Sequence, residues 1–426
     1  MASQGSNSKL VRVHNRSLLL RIIQQNAPVS RKDIAEKAGL TQAAITKITN
    51  DLIKKGLVIE ELESLPNQGF GRKPIGLSIN REKYRLISMF IGRTFIQAAI
   101  CDLSGGILSK IEEYRNIFTD SATSLEVEVI EFLGRLVENS GVDTKKLLGI
   151  AISAPGPINA KRGFIHSSPL ASVKAADAPF DWSGISLAES VGSRFGVPVF
   201  TDNEANVAAL GESWFGSGVG INNFVLYSVG LGIGSGVIID GMLYRGEDDV
   251  VSEIGHVTID YKGPKCVCGN VGCLETYASF RRLSERHRAL DPGASASLPV
   301  EDYAALVREI EAVFAKAIIG EPESATAIKE IGSFLGIGAV SLANIFSPEC
   351  IIVSGNDIGN ADIGILVPIL KESVRRGAFS VIANKVKVIA SSLGKDARIY
   401  GGIALVLQDF FAQSGGEVET TSSDRS

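Results

Sequence analysis

The sequence predicts a mainly helical head at residues 10–80, followed by a larger body in which strands alternate with helices. Three observations favour this division. Short helical segments with capping residues are crowded before residue 80, whereas alternating strand and helix patterns begin near residue 82. The chain of 426 residues is also too long for one ordinary domain. With 45% hydrophobic and 21% charged residues, its composition is that of a globular protein.

The head contains three predicted helices. The first covers the apolar stretch at 17–26. Ser30 begins the second, and Asp33 lies three residues further on, where it can complete a capping box. Gly39 ends that helix, and Thr41 caps a third. Two short helices joined by a tight glycine turn are typical of a helix-turn-helix, which binds DNA.

A β-hairpin, or wing, is predicted after the third helix. Its strands are the runs at 57–62 and 75–79, and the proline, asparagine and glycine residues between them favour a turn. The third helix, at 41–55, would present polar side chains to the major groove, where glutamine and asparagine can pair with adenine. The predicted DNA-contacting residues are Ser30, Arg31, Gln42, Ala43, Thr46, Lys47, Asn50, Arg72 and Lys73.

The charge is distributed unevenly between head and body. Residues 1–80 contain 12 Lys and Arg against 6 Asp and Glu, a net charge of +6. The rest of the chain contains 31 against 41, a net charge of −10. A basic head on an acidic body suits a head that contacts DNA phosphates, although chance variation along the chain is a second explanation.

The body is predicted to be mixed α/β. Helices are expected at 125–138 and 186–195, among other places. The predicted strands are 86–91, 95–102, 147–152, 197–201, 224–229, 237–239, 351–353 and 386–390. Strands that alternate with helices in this way are typical of α/β folds.

Four residues in one short segment form a candidate metal site. His256, Cys266, Cys268 and Cys273 offer one imidazole and three thiolates, a ligand set that suits tetrahedral Zn²⁺. Three of the five cysteines of the chain lie in this segment, which favours a metal site over a disulfide framework. Because the protein would fill all four positions, we expect the zinc to be structural.

Several motifs together resemble one protein family. Glu253–His256 reads ExGH, and Cys266–Glu275 reads CxCGxxGCxE. SAPGPIN at Ser153–Asn159, DNEANVAALGE at Asp202–Glu212 and VGLGIGSGVIIDGMLYRG at Val229–Gly246 occur around them in the expected order. This combination resembles the ROK family of repressors, open reading frames and sugar kinases, and the head resembles that of its repressor branch, which includes xylose- and N-acetylglucosamine-type regulators.

The resemblance implies an actin-like, ribonuclease-H-type α/β body of two lobes, similar to a sugar kinase. The first lobe would cover 81–200, completed by 396–412, and the second would cover 201–395 with the zinc loop and the sugar site. The family likeness also implies a homodimer or tetramer. The residues that it places against sugar hydroxyls are Asn203, Glu204, Glu253, His256 and Glu275.

The sequence departs from the kinases of that family at three places. Phe90 stands where the first phosphate loop should have an acidic residue, and Arg93 replaces a glycine of that loop. Glu204 stands where the aspartate base is expected, and its longer side chain would displace the carboxylate. A second glycine-rich segment, at 230–236, could approach phosphate or could simply form a tight turn between strands. The region at 353–356 has one glycine instead of two.

The leading hypothesis is therefore a sugar-responsive transcription regulator, a repressor that sugar releases from a double-stranded DNA operator. One alternative is an active ATP-dependent sugar kinase that carries a DNA-binding head. A further alternative is a regulator that a protein partner controls. No apolar run reaches transmembrane length and the first residues lack a signal core, so we expect a cytoplasmic protein without membrane contact. The sequence does not identify the sugar.

Overall fold

The computed structural model describes residues 8–61, 74–92, 95–114, 122–160, 163–165, 186–247, 249–291, 303–355 and 363–413. The helices are α1 (Ser8–Asn26), α2 (Arg31–Ala38), α3 (Gln42–Lys54), α4 (Ala122–Ser140), α5 (Leu187–Phe195), α6 (Glu204–Phe215), α7 (Glu275–Ala278), α8 (Phe280–Leu290), α9 (Tyr303–Ile318), α10 (Pro322–Phe346), α11 (Leu366–Gly377), α12 (Ser380–Ala383) and α13 (Ala397–Ala412). The strands are β1 (Val29–Ser30), β2 (Val58–Glu61), β3 (Gly76–Ile79), β4 (Arg85–Ile91), β5 (Phe95–Asp102), β6 (Ile107–Tyr114), β7 (Leu147–Ala154), β8 (Ile158–Asn159), β9 (Phe164–Ile165), β10 (Val199–Asn203), β11 (Phe224–Val229), β12 (Ile233–Ile239), β13 (Met242–Leu243), β14 (Cys350–Gly355) and β15 (Lys387–Ala390).

The head consists of α1, α2 and α3 with a small antiparallel sheet of strand order β1-β3-β2. Its core is made of aliphatic side chains that are fully buried, among them Leu19, Ile23, Ile34, Ile45 and Leu52. β2 and β3 pair in antiparallel register, so the structure confirms the predicted helix-turn-helix and both strands of the wing. The connection between these strands, with Arg72 and Lys73, lies outside the described residues.

The ends of the head helices are determined by local sequence. The hydroxyl of Ser30 accepts a hydrogen bond from the Asp33 N–H at 3.2 Å, which caps α2. Gly39 ends α2 with a φ of +62°, a conformation that costs glycine nothing. The hydroxyl of Thr41 accepts from the Ala44 N–H at 3.3 Å and starts α3. The predicted caps and the predicted turn are confirmed.

The body contains two five-stranded sheets. The first has the strand order β10-β7-β4-β5-β6, and the second has the order β13-β12-β11-β14-β15. Both sheets are mixed. In the first, β7 pairs in parallel with β4 and β10, whereas β4 pairs with β5 in antiparallel register. In the second, β11 pairs in parallel with β14 and in antiparallel register with β12. The structure thus has the predicted mixed α/β body. The division of this body into lobes at residue 200 stays a prediction.

Helices α6 and α13 pack against each other between the two sheets. A side chain at Gly401 would place its Cβ 1.7 Å from the Val207 carbonyl oxygen, and one at Gly211 would lie 2.2 Å from that of Ala397. The helix backbones can touch because these positions are glycine. Gly236 of β12 likewise admits α6, where a Cβ would lie 2.4 Å from the Ala205 carbonyl oxygen. The body therefore has a tight helical centre.

One described helix, α10, is long and apolar enough to cross a membrane by length and composition alone. About half of that stretch is buried inside the protein. A Cβ at Gly332 would lie 3.0 Å from Ile369 of α11, and one at Gly336 would lie 2.2 Å from the Ser373 hydroxyl. α10 packs here as a core helix of the second sheet's helical layer.

Candidate functional site

The candidate site is a cleft with a cavity volume of about 230 Å³. Its walls come from the segments that follow β7 and β10, from the turn between β11 and β12, and from the segment at 249–256. All five residues predicted to contact sugar line it, namely Asn203, Glu204, Glu253, His256 and Glu275. Ligand pockets usually have volumes of roughly 300–1,000 Å³, so this cleft suits a small ligand.

Asn203 is held at the start of α6. Its Oδ1 accepts a hydrogen bond from the Ala205 N–H at 2.8 Å, and its Nδ2 donates to the Gly156 carbonyl oxygen at 2.9 Å. The amide therefore caps the helix and joins it to the loop after β7. These two bonds fix the orientation of the side chain at the edge of the cleft.

Glu204 is paired with a residue far away in the sequence. Nη1 of Arg398 lies 3.1 Å from the Glu204 carboxylate, and the Arg398 side chain is only 3% exposed. Its guanidinium carbon lies 3.7 Å from the centre of the Phe90 ring, a cation–π contact. Phe90 is itself buried. Phe90, one of the predicted departures from the kinase pattern, is thus an aromatic ring covered by a guanidinium. Arg93 lies outside the described residues.

Two further carboxylates lie beside the metal loop. The Glu275 carboxylate accepts a hydrogen bond from the Ile233 N–H at 2.8 Å, which links α7 to β12. Glu253 lines the cleft, and the surrounding protein partly removes its carboxyl group from water. This desolvation raises the pKa of the carboxyl group. The Glu275 carboxylate adds to this rise in pKa, and His256 opposes it. The two carboxylates form an acidic wall with several hydrogen-bond acceptors.

The structure brings the four predicted metal ligands together. The ligand atoms of His256, Cys266, Cys268 and Cys273 all lie within 4.8 Å of one another. The Sγ atoms of Cys268 and Cys273 are 3.7 Å apart, and Cys266 Sγ lies 3.6 Å from His256 Nδ1. A tetrahedral zinc with Zn–S bonds of ~2.3 Å has edges of ~3.8 Å, so these separations fit a zinc ion.

The loop that carries the thiols is shaped by glycine and asparagine. Gly272 has a φ of +67°, and a Cβ there would lie 1.7 Å from the Asp260 carbonyl oxygen. Nδ2 of Asn270 donates to Cys273 Sγ at 3.4 Å and to the His256 carbonyl oxygen at 3.3 Å. Burial and the neighbouring thiols raise the pKa of Cys266 to about 12, so a bound cation is needed to hold it as thiolate.

The glycine-rich segment at 230–236 forms a tight turn followed by the start of β12. The sequence leaves two alternatives for this segment, a phosphate loop and a turn between strands. The Gly230 N–H donates to the Gly232 carbonyl oxygen at 2.9 Å, which closes the turn between β11 and β12. Gly234 and Gly236 lie within β12. Gly236 provides space for α6, whereas Gly232 and Gly234 line the cleft. The expectation of a second phosphate loop therefore stays a prediction.

A cluster of three charged residues, of which Asp249 lines the cleft, was not predicted from the sequence. Asp202 and Asp249 are 0% and 3% exposed. Nη2 of Arg245 lies 2.6 Å from the Asp202 carboxylate, and Nη1 lies 3.8 Å from that of Asp249. A half-buried arginine between two buried aspartates has no local sequence pattern, although Arg245 and Asp249 lie only four residues apart.

The predicted DNA-contacting residues of α3 share one exposed face. Gln42, Ala43, Thr46, Lys47 and Asn50 are all exposed, and they recur at helical spacing. The opposite face packs into the core of the head through Ile45, Thr49 and Leu52. The structure thus places these five side chains where a groove could receive them, and their contacts with DNA stay predictions.

The other two predicted DNA-contacting residues that the structure describes have protein partners. Ser30 is 7% exposed, and its hydroxyl donates to the Asp33 carboxylate at 2.8 Å. The guanidinium of Arg31 donates to Glu60 of the wing at 2.8 Å and to Asn50 at 3.3 Å. Arg31 therefore joins α2, α3 and β2 at the edge of the exposed face.

The head contacts the body through α1. Nη2 of Arg21 donates to the Ser213 hydroxyl at 3.1 Å, and its guanidinium carbon lies 5.1 Å from the Trp214 ring centre. The Ser17 hydroxyl donates to the Phe411 carbonyl oxygen at 2.6 Å. Since Ser213 and Trp214 end α6 and Glu204 begins it, one helix runs from the cleft to the head.

Comparison with known proteins identifies both parts of the chain. The ROK family model matches residues 86–409, and a model described as winged helix-turn-helix DNA-binding matches residues 14–59. A putative xylose repressor from Caldicellulosiruptor sp. is 32% identical over 413 residues, which cover 95% of this chain and 98% of that protein. An N-acetylglucosamine repressor from Escherichia coli O6:H1 is 29% identical over 405 residues and 95% of each chain.

Solved structures agree with these matches. A ROK family transcriptional regulator, described as a homologue of the E. coli MLC protein, superposes with a TM-score of 0.73 at 28% identity and covers 94% of this chain and 97% of its own. A ROK family glucokinase from Streptomyces griseus, in complex with glucose and AMPPNP, gives a TM-score of 0.62 at 27% identity over 75% and 98% of the two chains. The predicted actin-like, sugar-kinase-type body is confirmed, and the chain belongs to the ROK family, with a winged helix-turn-helix at its N-terminus.

Proposed function

We propose that this protein is a sugar-responsive transcription regulator that represses genes by binding a DNA operator and is released by a small sugar. One observation carries the proposal. The cleft that holds all five predicted sugar contacts and the head that exposes a recognition helix are joined by α6. A ligand can change DNA affinity only if it prefers one arrangement of the molecule, and α6 is a physical connection through which it could do so.

The DNA partner is supported by the exposed face of α3. Gln42 and Asn50 can each form two hydrogen bonds with adenine, and the Ala43 and Thr46 methyl groups can contact a thymine methyl. Lys47 adds a positive charge to the same face. Arg31, held at the edge of this face, is placed to contact a phosphate. The relatives named as repressors support the same assignment.

The sugar partner is supported by the chemistry of the cleft. The carboxylates of Glu253 and Glu275, the Asn203 amide and the His256 imidazole offer acceptors and donors for neighbouring hydroxyl groups. A site of this kind rejects molecules that lack those hydroxyls, because its polar groups would then be left unpaired. The relatives are named for xylose and N-acetylglucosamine, and the glucokinase holds glucose, so a monosaccharide is the class of effector that we propose.

We assign Zn²⁺ to the cluster of one histidine and three cysteines, in a structural role. The separations of the ligand atoms suit a tetrahedral ion, and no ligand position remains for water. By fixing His256, the metal would orient an imidazole that also lines the cleft. The same loop leads directly into Glu275, so the metal would support two sugar contacts.

We also propose that the protein does not phosphorylate sugar. Phe90 stands where the family resemblance implies an acidic residue of the first phosphate loop, and Arg398 covers its ring. Glu204, at the position of the expected base, forms an ion pair with Arg398. The competing hypothesis, an active kinase with a DNA-binding head, draws on the structural likeness to a glucokinase. A coupled ATP-consumption assay with xylose, glucose and N-acetylglucosamine separates the two. Turnover with any of these sugars would establish the kinase.

A homodimer or tetramer in the cytoplasm is the proposed working form. Support comes from the second lobe, where Ile345, Phe379 and Val381 are 67%, 70% and 57% exposed. Large apolar side chains of this kind favour association between subunits. Sedimentation at several protein concentrations would give the stoichiometry, and a monomer at every concentration would contradict this part of the proposal.

The experiment that tests the regulator is thermal unfolding of the zinc-loaded protein with a panel of monosaccharides and without ATP. A specific effector should stabilise the folded state by about 2.7 kcal/mol at a hundredfold excess over Kd. Glu275→Gln should reduce that shift, whereas Glu285→Gln, an exposed residue of α8, serves as the control. The same sugar should then weaken binding to an operator fragment selected from genomic DNA. A panel without any shift would instead favour control by a protein partner.

A further inference from the structure

The cleft contains a buried carboxylate to which no group in the described structure donates a hydrogen bond. Asp249 is 3% exposed and lines the cleft, yet neither of its carboxylate oxygens has a hydrogen-bond partner among the described residues. Buried polar atoms are rarely left in this state unless a ligand or an ordered water completes them. Nη1 of Arg245, 3.8 Å from Asp249 Oδ1, is also buried and without a hydrogen-bond partner.

The Asp249 carboxylate and Arg245 Nη1, which both lack hydrogen-bond partners in the described structure, need opposite kinds of partner. The carboxylate of Asp249 needs a donor, and the Arg245 N–H needs an acceptor. A hydroxyl group provides both from one atom and carries no charge. A phosphate or carboxylate would satisfy Arg245 but would be repelled by Asp249, and an ammonium group would satisfy Asp249 but would be repelled by Arg245.

The charge of the surrounding cleft also disfavours an anion. Arg245 is paired with Asp202 at 2.6 Å, and Arg398 is paired with Glu204 at 3.1 Å. Once these pairs are set aside, the carboxylates of Asp249, Glu253 and Glu275 remain in the lining. A phosphorylated sugar would bring up to two further negative charges into this acidic space.

The backbone beside the cleft is strained where Asp249 stands. Asp249 and Ser252 have φ values of +60° and +59°, in the left-handed region that favours glycine. Strain of this kind persists where the surrounding structure holds it, and it is concentrated at ligand sites. At Ser252 the hydroxyl has a partner, Ser235 Oγ at 2.6 Å, whereas the Asp249 carboxylate has none in the described structure.

We propose that Asp249 in the cleft wall, together with Arg245 beside it, is a specificity-determining pair that binds one hydroxyl group of an unphosphorylated, neutral sugar. This inference rests on the proposed sugar-binding function and names the class of effector. Asp249 accepts the hydroxyl proton in a hydrogen bond, and Arg245 donates to the hydroxyl oxygen. Asp202 positions Arg245 from the opposite side.

The test is calorimetric titration of the zinc-loaded full chain with xylose, glucose and N-acetylglucosamine, and with the 6-phosphates of the last two. The variants are Asp249→Asn, Asp249→Gly and Asp240→Gly. A hydrogen bond to a charged group contributes enough that both Asp249 variants should raise Kd for the neutral effector about 10–100-fold. Asp249→Gly relieves the backbone strain, so its melting temperature without sugar should equal or exceed that of the wild type. Asp240→Gly relieves strain of the same kind at an exposed residue outside the cleft, where φ is +51°, and keeps Asp249, so its Kd should be unchanged.

A second measurement separates ligand contact from a structural role. Monodeoxy analogues of the effector should include one that binds the wild type about 10-fold or more weakly but binds Asp249→Gly as well as the parent sugar does. Equal affinity of wild type and both Asp249 variants for the neutral sugar would overturn the inference, as would tighter binding of a 6-phosphate. If no sugar binds the wild type at all, the proposed function itself fails, and the inference fails with it.

Discussion

At the scale of single residues, the four predicted metal ligands form the cluster whose geometry is most restricted, since their ligand atoms all lie within 4.8 Å of one another. Cys266, Cys268 and Cys273 come from one short loop. The fourth ligand, His256, is the last residue of a 3-10 turn and lies ten residues before Cys266. A tetrahedral ion bound by these four residues would join the two segments. Because the pKa of the Cys266 thiol is raised to about 12, a bound metal would also determine the charge of this residue.

We therefore expect Cys273→Ser to lose the metal and to weaken sugar binding through Glu275, two residues further on. Zinc content measured by atomic absorption should fall from one ion per chain to well below one, and the melting temperature should drop. Val267→Ser is the matched control, since Val267 lies between two ligands and is 43% exposed. A cysteine variant that keeps one zinc per chain would contradict the assignment of the four ligands.

At the scale of helices and strands, α3 is the element whose function depends most on its exposed face. Asn50→Ala should weaken binding to the operator by about 10-fold or more, since a bidentate contact with a base contributes about 1–3 kcal/mol of discrimination. The loss should be much smaller on unrelated DNA, which is bound through phosphates. Fluorescence anisotropy with both DNA fragments measures this difference.

Asn384→Ala is the control for that prediction, because Asn384 is an exposed asparagine on the body. It should leave both affinities unchanged. If Asn50→Ala weakened binding to both DNA fragments equally, Asn50 would contact the backbone and not a base. The contact of Arg31 with Asn50 would then favour a role in positioning Arg31.

The connection from α6 to the loop before α13 depends on a buried acid. Glu212 is fully buried, and its carboxylate accepts hydrogen bonds from the Ser391 hydroxyl and, at 2.6 Å, from the Ser217 N–H. Burial raises the pKa of Glu212, and these hydrogen bonds oppose the rise. A carboxyl group with a raised pKa favours the folded state when protonated. The contribution of protonated Glu212 to the free energy of unfolding is therefore complete below about pH 4.5, and it is lost as the pH rises through the raised pKa of the folded state.

Glu212→Gln cannot ionise, so its stability should lack this pH-dependent loss. Relative to the variant, the wild type should become less stable as pH rises from about 4.5 through the raised pKa. Urea denaturation of both proteins at several pH values between 4.5 and 8 would give the difference. Glu247→Gln, an exposed change, should show no pH-dependent difference from the wild type. An unchanged difference for Glu212→Gln at all pH values would mean that the pKa is not raised.

Elements with a clear apolar pattern were predictable from the sequence. The predicted strand at 224–229 has the ends observed for β11, because all six of its side chains are buried. β6 (Ile107–Tyr114) was missed, since it is a half-buried edge strand rich in polar residues. β12 was predicted only from 237, because glycines near its start resemble a loop. Their role became visible only with α6 packed against them.

In the site, too, residues close together in the sequence were predictable, whereas contacts between distant residues were not. The metal ligands were predictable because they lie close together in the sequence and have distinctive chemistry. The pairing of Glu204 with Arg398 was not, since 194 positions separate the two residues and only the fold brings them together. The pair of the buried Asp202 with the half-buried Arg245 was missed because no sequence pattern here indicates that a charged residue is buried.

At the scale of the whole molecule, α6 is the central element. Ten consecutive residues of this helix, Ala205–Trp214, are buried, and its two ends lie in different functional regions. Its N-terminus lies in the cleft beside Asn203, and its C-terminus contacts Arg21 of the head. A helix packed on all sides moves as a rigid unit, because densely packed interiors transmit displacements. A shift at the cleft would therefore reach the head.

We predict that Arg21→Ala uncouples sugar binding from DNA release. The change removes the contacts with Ser213 and Trp214 but leaves the cleft and the exposed face of α3 intact. The variant should bind the effector with wild-type affinity, whereas the sugar should no longer weaken operator binding. Because coupling is reciprocal, operator DNA should also lose its effect on sugar affinity. Both affinities, each measured with and without the other ligand, complete the thermodynamic cycle. Arg12→Ala, an exposed change on the same helix, should keep the coupling. Full coupling in Arg21→Ala would mean that the signal travels by another route, for which the α1–α13 contact at Ser17 would be the next candidate.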